Sequence, residues 1–395
     1  MLGTVYARSA TVPWQALLFA LLLSGFAYSI VSINRAWRGI WRGVRRNSLN
    51  LTVMWASLGL ILIVGHSLPD AQRQAVALAA LGLFLTPWGA HWAGWGLRLL
   101  AATRESRLDW GKALFMAGLL AGLGSAVGHR GPIPHVQAAG MTLPLHDVMR
   151  WLVTAAFTLY VARRPVLDRR MQITLTAAFG LVSALFFASG ERYSVVLVLL
   201  VTAVVGVSTW GLRRTLPSVA LLMLLGLVGV LILGKFGHTL PQDRLAAAVG
   251  MRAQNDEIQR ARLALSTSGW SGVSGVHLER MSFQSVTDYA LSSLALNYGR
   301  LGLGLALAIT FVQICLLFLS TAQLDKAASR LLGLALVANI GVQATLPILA
   351  MTPFPAPYGG IPWALAARSV GQVVLQTLAS AALTGAVPPQ QIEER

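Results

Sequence analysis

The sequence predicts an all-α polytopic membrane protein, with about 10–11 transmembrane helices and a large extracytoplasmic loop before the third-last helix. Three observations lead there. Only 11% of the 395 residues are charged and 55% are hydrophobic, against about 25% charged in soluble domains. The apolar residues come in runs of about 18–25, the length that crosses a hydrocarbon core of roughly 30 Å. The arginines gather in every second short loop, as positive-inside sorting requires. A β-barrel is excluded, because its strands would alternate apolar and polar residues.

The elements follow in order. Apolar runs at 13–33, 50–67, 75–97, 111–128, 147–162, 171–189, 193–211 and 216–235 are read as spans. A long polar stretch, 236–287, then interrupts the series, and runs at 288–320, 329–349 and 361–387 complete it. Arg35, Arg38, Arg42, Arg45 and Arg46 follow the first span; Arg98, Arg104, Arg107 and Lys112 the third. Arg163, Arg164, Arg169 and Arg170 follow the fifth, Arg213 and Arg214 the seventh, and Lys326 and Arg330 the ninth. These loops are expected in the cytoplasm, so the N-terminus is expected outside and the C-terminus inside. The loop 236–287, the segment Gly128–His146 and the proline-rich turn Pro353–Pro362 then share the outer face. Irregular backbone at membrane depth is tolerated only inside protein or along a wet cavity. The first helix and its basic loop, 1–50, stand apart from one membrane domain, 51–395.

Several classes of function are excluded or unsupported. The net charge of +17 would suggest nucleic acid in a soluble chain, but here it is spent in topogenic loops, so no nucleic-acid partner is expected. The single cysteine, Cys315, lies in an apolar run and is read as a small core residue. The first apolar run lacks a basic leader and a clear cleavage site, so no cleavable signal peptide is expected. The seven histidines show no metal-binding spacing, although His129, His135, His146, His238 and His277 fall on the outer side. No metal or cofactor is expected, and a divalent cation is left open. No nucleophile elbow is visible.

Chemistry concentrates in 268–302. Five of the fourteen acids, Asp243, Asp256, Glu257, Glu279 and Asp288, lie in or at the end of the long loop. Asp288 stands where the loop runs into a helix. A carboxylate at the edge of a bilayer must be solvated, paired or used. It has two readings that the residues alone leave open: an N-cap, shared with Thr287, or a general base facing an outer cavity. Ser268-Gly269-Trp270-Ser271-Gly272 is a glycine-spaced turn carrying an interfacial tryptophan. Segment 243–265 reads as a basic helix lying in the outer interface, whose arginines meet headgroups or grip a phosphate. Asp147 and Arg150, three apart at the start of the fifth span, fall on one helix face and can pair, with the acid at the favourable end of the helix dipole.

These blocks resemble the SEDS family (shape, elongation, division, sporulation; the FtsW- and RodA-like proteins). The resemblance rests on 264–272 (ALSTSGWSG), Val286-Thr287-Asp288-Tyr289-Ala290 and Gly299-Arg300-Leu301-Gly302. It continues through Asn339-Ile340-Gly341, Pro347 and Pro355-Ala356-Pro357-Tyr358-Gly359-Gly360, and more weakly through Leu145-His146-Asp147 and Arg150. It covers about 111–387. Gln284, Val286, Leu296, Asn297, Pro357 and Ile361 depart from the family pattern, and no Arg-Trp pair precedes Asp147.

The resemblance implies a peptidoglycan glycosyltransferase that polymerises lipid II at the outer face of the bacterial cytoplasmic (inner) membrane, in cell division or cell-shape maintenance, beside a class B penicillin-binding protein. It makes Asp288 the essential catalytic carboxylate, which activates the acceptor sugar hydroxyl. Arg260, Arg262 and Arg280 become the cations for an undecaprenyl pyrophosphate leaving group. Trp270, Thr287, Tyr358, Gly359 and Gly360 become substrate-binding, and Asp147–Arg150 a structural pair. A lipid-linked precursor flippase, an O-antigen-ligase-like enzyme and an inactive scaffold of a division or elongation complex are the alternatives.

Overall fold

A computed structural model of the protein describes residues 95–97, 109–127, 135–138, 141–164, 166–189, 191–235, 263, 265–270, 290–324 and 326–351, with positions 376, 379, 380, 382, 383 and 386. The expected spans 13–33 and 50–67, nearly all of 75–97 and most of 361–387 lie outside the described residues. So do the interfacial helix 243–265, apart from two positions, and the proline-rich turn.

Seven long helices and one hairpin are described. They are α1 (Trp110–Val127), β1 (His135–Ala138), β2 (Met141–Pro144), α2 (Leu145–Arg163), α3 (Arg169–Ala188), α4 (Arg192–Trp210), α5 (Leu212–Lys235), α6 (Ala290–Ala322) and α7 (Ala327–Met351). Among the described residues, five helical stretches are long and apolar enough to cross a membrane: Trp110–Val127, Arg169–Ala188, Tyr193–Trp210, Gly299–Ala322 and Ala327–Leu349. The chain is a multi-pass helical membrane protein.

The differences from the expected elements have physical causes. α5 begins at Leu212 rather than 216, and carries Pro217 inside it. Proline there removes only one hydrogen bond, to the Arg213 carbonyl, in the second turn where water is close. The segment between α1 and α2 holds an antiparallel hairpin, with His135 opposite Pro144 and Ala138 opposite Met141. Cys315 is exposed, which corrects its reading as a core residue. α6 is apolar all round, so periodicity could not tell its lipid face from its packed face.

α2 is the central pillar. Twelve of its nineteen residues are buried, and it packs against α1, α4 and α7. Met149, Val153 and Phe157 meet α3 and α4 through Phe179, Phe186 and Val198. Trp151 and Leu159 share a second cluster with Leu291, Leu317, Leu332 and Ile340 of α6 and α7. Val161 joins Leu197, Val201 and Ala335 in a third. α2 is also the least apolar of the spans, because its faces touch protein rather than lipid.

α1 reaches α2 by a stripe of small residues. Gly118, Gly122 and Ser125 are its buried positions. A Cβ on Gly118 would stand 2.9 Å from Val153 Cγ2, and one on Gly122 2.5 Å from Met149 Sδ. Small residues four apart let two membrane helices approach closely, where dispersion replaces the missing hydrophobic drive.

At the arginine-rich end, Arg163 Nη1 pairs with Asp109 Oδ1 at 2.5 Å and Lys112 Nζ lies 3.6 Å from Asp109 Oδ2. Burial pushes the Asp109 carboxyl up. The hydrogen bond from Lys112 N and the charges of Arg163 and Lys112 outweigh it, holding the group below the usual carboxylate range. The α1–α2 pair is therefore pinned by charge at one end and by close packing along its length.

Adding one methyl on the α1 stripe tests that packing. Val153 is β-branched and stiff, whereas Met149 can re-route its chain. Gly118→Ala is expected to destabilise the protein by about 1–3 kcal/mol, and more than Gly122→Ala. Thermal unfolding in detergent reads the order, and equal or reversed losses would contradict it.

Candidate functional site

A buried charged cluster forms where α2 and α4 begin. His146, Asp147, Arg150, Glu191 and Tyr193 are all at least nine-tenths buried, and Arg150 is the largest fully buried side chain among the described residues. The local sequence explains their meeting. The α3–α4 connection is only a few residues long, held by Ser189 N to Leu185 O (2.9 Å) and Glu191 N to Phe186 O (2.9 Å). This tight turn carries Glu191 and Tyr193 to the end of α2. Glu191 occupies the N-cap position of α4 but makes no capping hydrogen bond, so its carboxylate is turned to other partners.

The geometry is compact. Arg150 Nη1 lies 2.9 Å from Asp147 Oδ1 and donates to Tyr193 Oη at 3.0 Å. Its guanidinium stands 5.7 Å from the Tyr193 ring centroid, within cation–π range. His146 Nε2 lies 3.4 Å from Glu191 Oε1 and 3.8 Å from Asp147 Oδ2. Asp147 lies in the first turn of α2, where the helix dipole favours negative charge.

The cluster has unspent capacity. Arg150 Nε and Nη2, His146 Nδ1 and Ser194 Oγ are buried with no hydrogen-bond partner among the described residues. Buried guanidinium donors are costly to leave unmatched. A planar fork with two open nitrogens suits a carboxylate, a phosphate or a carbonyl. Among the described residues no group of three or more His, Cys, Asp or Glu is arranged to hold a metal.

A second feature lies at the start of α6. Gly299 interrupts the helix with φ 70° and ψ −174°, a region open essentially to glycine alone. The interruption frees backbone donors, and the end of the long loop takes them. Arg300 N donates to Gly269 O at 3.0 Å and Leu301 N to Trp270 O at 3.2 Å. Arg300 Nη2 adds a bond to Ser266 O at 3.3 Å. The Ser-Gly-Trp block and the Gly-Arg-Leu-Gly block, separate in sequence, are thus one structural unit. Trp270 itself is 69% exposed.

The structure therefore brings Asp147 and Arg150 together and puts Trp270 at the α6 break. Asp288, Arg260, Arg262, Arg280, Thr287, Tyr358, Gly359 and Gly360 lie outside the described residues. Leu291, three residues after Asp288, packs in the same cluster as Trp151, the neighbour of Arg150. Glu191 and Tyr193 were missed in the sequence, and His146 was noted only among the outer-side histidines and in the Leu145-His146-Asp147 block. The available signal was an acid flanking a span, at Glu191, with an aromatic two residues on.

No protein-family model and no curated protein match the sequence. Solved structures do. One chain of a structure described as the structural coordination of polymerization and crosslinking by a peptidoglycan synthase complex is 16% identical, with a TM-score of 0.52, over 86% of this chain and 96% of that one. The rod shape determining protein RodA of Thermus thermophilus is similar at 16% identity and a TM-score of 0.46, over 86% of this chain and 94% of that one. A point mutant of the same RodA gives 17% and 0.46. The chain shares its fold with that chain of the peptidoglycan synthase complex.

Two substitutions test the site. Arg150→Met leaves Asp147 buried beside an apolar chain, and is expected to cost roughly 3–5 kcal/mol, with Asp147→Leu/Arg150→Met recovering much of it. Thermal unfolding of the single and double variants measures both; a double variant as unstable as the sum would refute the pairing. Gly299→Ala forces a strained backbone and is expected to cost about 1–3 kcal/mol. Faster amide exchange at Arg300 and Leu301 than in the unsubstituted protein is the accompanying sign.

Proposed function

We propose that the protein is a peptidoglycan glycosyltransferase, polymerising lipid II at the outer face of the bacterial inner membrane. The observation that carries the reading is the docking of the Ser266–Trp270 segment onto the glycine break of α6, which joins two of the blocks shared with the SEDS family around the chain segment that carries Asp288. The shared fold with a chain of a peptidoglycan synthase complex supports it, as does the buried Arg150 cluster.

In this reading Asp288 is the general base. It takes the proton of an acceptor sugar hydroxyl as that oxygen attacks the anomeric carbon of the donor. The bond from that carbon to the diphosphate oxygen breaks, and undecaprenyl pyrophosphate leaves. Arg260, Arg262 and Arg280 neutralise the diphosphate as its charge develops. Thr287, Trp270, Tyr358, Gly359 and Gly360 line the substrate. Asp147 and Arg150 hold the outer end of α2 in place. The partner is a class B penicillin-binding protein that crosslinks the strands. The N-terminus is outside and the C-terminus cytoplasmic.

A second reading, an inactive scaffold for such a partner, is favoured by the changed residues around Asp288: Gln284, Val286, Leu296 and Asn297. Purified protein supplied with lipid II, alone and with a class B penicillin-binding protein, separates the two. Glycan strands are expected from the unsubstituted protein, and Asp288→Asn is expected to slow their formation by about 10²–10⁴-fold. Strands made as fast by Asp288→Asn would remove the base assignment. Absence of strands with every partner would favour the scaffold.

A further inference from the structure

The middle of α7 holds a buried carboxamide that no described group answers. Asn339 is 0% exposed, and neither its oxygen nor its nitrogen has a hydrogen-bond partner among the described residues. Gln343, one turn along the same face and equally buried, accepts from Gln376 Nε2 at 3.0 Å. Gln376 belongs to a further helical stretch, whose described positions include Ala379, Ser380 and Leu383. It uses only its nitrogen: its Oε1 is buried with no hydrogen-bond partner among the described residues. These unmatched amide atoms lie against a span of the membrane, Ala327–Leu349, where solvent cannot offset their cost.

The packing fixes the register between the two helices. Gln376 lies beside Gln343, and Leu383 lies beside Gly333, where a Cβ on the glycine would stand 2.8 Å from Leu383 Cδ1. The stretch that carries Gln376 therefore runs antiparallel to α7, and Leu383 sits in the notch that Gly333 leaves. One turn nearer the start of α7, the same face presents Ser329, small and buried. One turn before Leu383 stands Ala379. A displacement of one turn, about 5.4 Å, moves Leu383 from Gly333 to Ser329 and puts Ala379 into the Gly333 notch. It also brings Gln376 level with Asn339. Both new seats pair a side chain with a small residue.

We propose that Gln376 is a two-position latch between its helix and α7. In the described state it holds Gln343. In the second state its helix is displaced by one turn towards the start of α7, and the carboxamides of Gln376 and Asn339 face each other. Gln376 Nε2 then donates to Asn339 Oδ1, and Asn339 Nδ2 to Gln376 Oε1. One hydrogen bond is given up and two are made, while Leu383 loses its close seat against Gly333. These terms are of similar size, so both states are populated. A shift by a whole turn keeps side chains interdigitated, as in other ratchets of one packed element past another. The latch does not rest on the glycosyltransferase reading.

The test is disulfide trapping in the full-length protein in nanodiscs, with Cys315→Ser removing the native thiol. Gly333→Cys/Leu383→Cys reports the described register and Ser329→Cys/Leu383→Cys the displaced one. Closure under a copper–phenanthroline oxidant is read as protection from a maleimide mass tag. Both pairs are expected to close. Adding Asn339→Leu is expected to slow closure of the 329–383 pair by about tenfold, the scale of the hydrogen bonds lost, and to leave the 333–383 pair as it was. Asn339→Ala, which cannot crowd the site, is expected to act alike, and Gln343→Leu is expected to speed the 329–383 pair. The thermal midpoint is expected to hold or rise with Asn339→Leu, since an unmatched amide is removed. A 329–383 pair that stays open in folded protein would overturn the latch, as would one that closes as fast with both Asn339 variants. A lower thermal midpoint with unchanged closure would reduce Asn339 to a packing residue.

Discussion

A guanidinium with no exposed surface, Arg150, sets the terms for the rest of the described structure. A charge of that kind at membrane depth is stable only if its partners are fixed in place. Asp147 supplies the counter-charge from the previous turn of the same helix, and Tyr193 supplies an oxygen and a ring face from the next hairpin of helices. The α3–α4 turn must be short and α2 must be held on all sides, since either freedom would open the pair to lipid. The small-residue face of α1 and the aromatic packing of Phe157, Phe179 and Phe186 supply that confinement. The least apolar span is therefore the most enclosed one.

The two halves of the site differ in the kind of rigidity they have. The α2–α4 cluster is rigid because charges and rings are locked by burial. The α6 break is rigid because backbone bonds are completed by another segment. In the first, a substitution acts through an unmatched charge; in the second, through a φ value that only glycine tolerates. One device is a fixed cation and the other is backbone brought close to backbone.

Much of this was legible in the sequence. The spans over α1–α4, α6 and α7 could be read to within a few residues, because membrane length and arginine placement are strong local signals. The Asp147–Arg150 pair followed from a spacing of three. The partners from α4 did not, because contacts made by two different helices leave no periodic trace in either. Cys315 was misread for a related reason: in a helix apolar all round, lipid-facing and protein-facing positions have the same composition. The hairpin between α1 and α2 was hidden by its shortness, and of α5 only the first turn, over Arg213 and Arg214, fell outside the span read at 216–235. The Ser-Gly-Trp and Gly-Arg-Leu-Gly blocks were visible as motifs, while the reason for them, one backbone completing another, appeared only in three dimensions.

The bonds from Arg300 and Leu301 to Gly269 and Trp270 fasten the chain to itself on either side of 271–298. The two anchor points fix where the chain meets α6, and α6 itself begins between them at Ala290, with Leu291 already packed in the core. Gln284, Val286, Leu296 and Asn297 all fall inside this clasp. Two of these departures, Leu296 and Asn297, are thus carried by α6 itself, between its first turn and the glycine break.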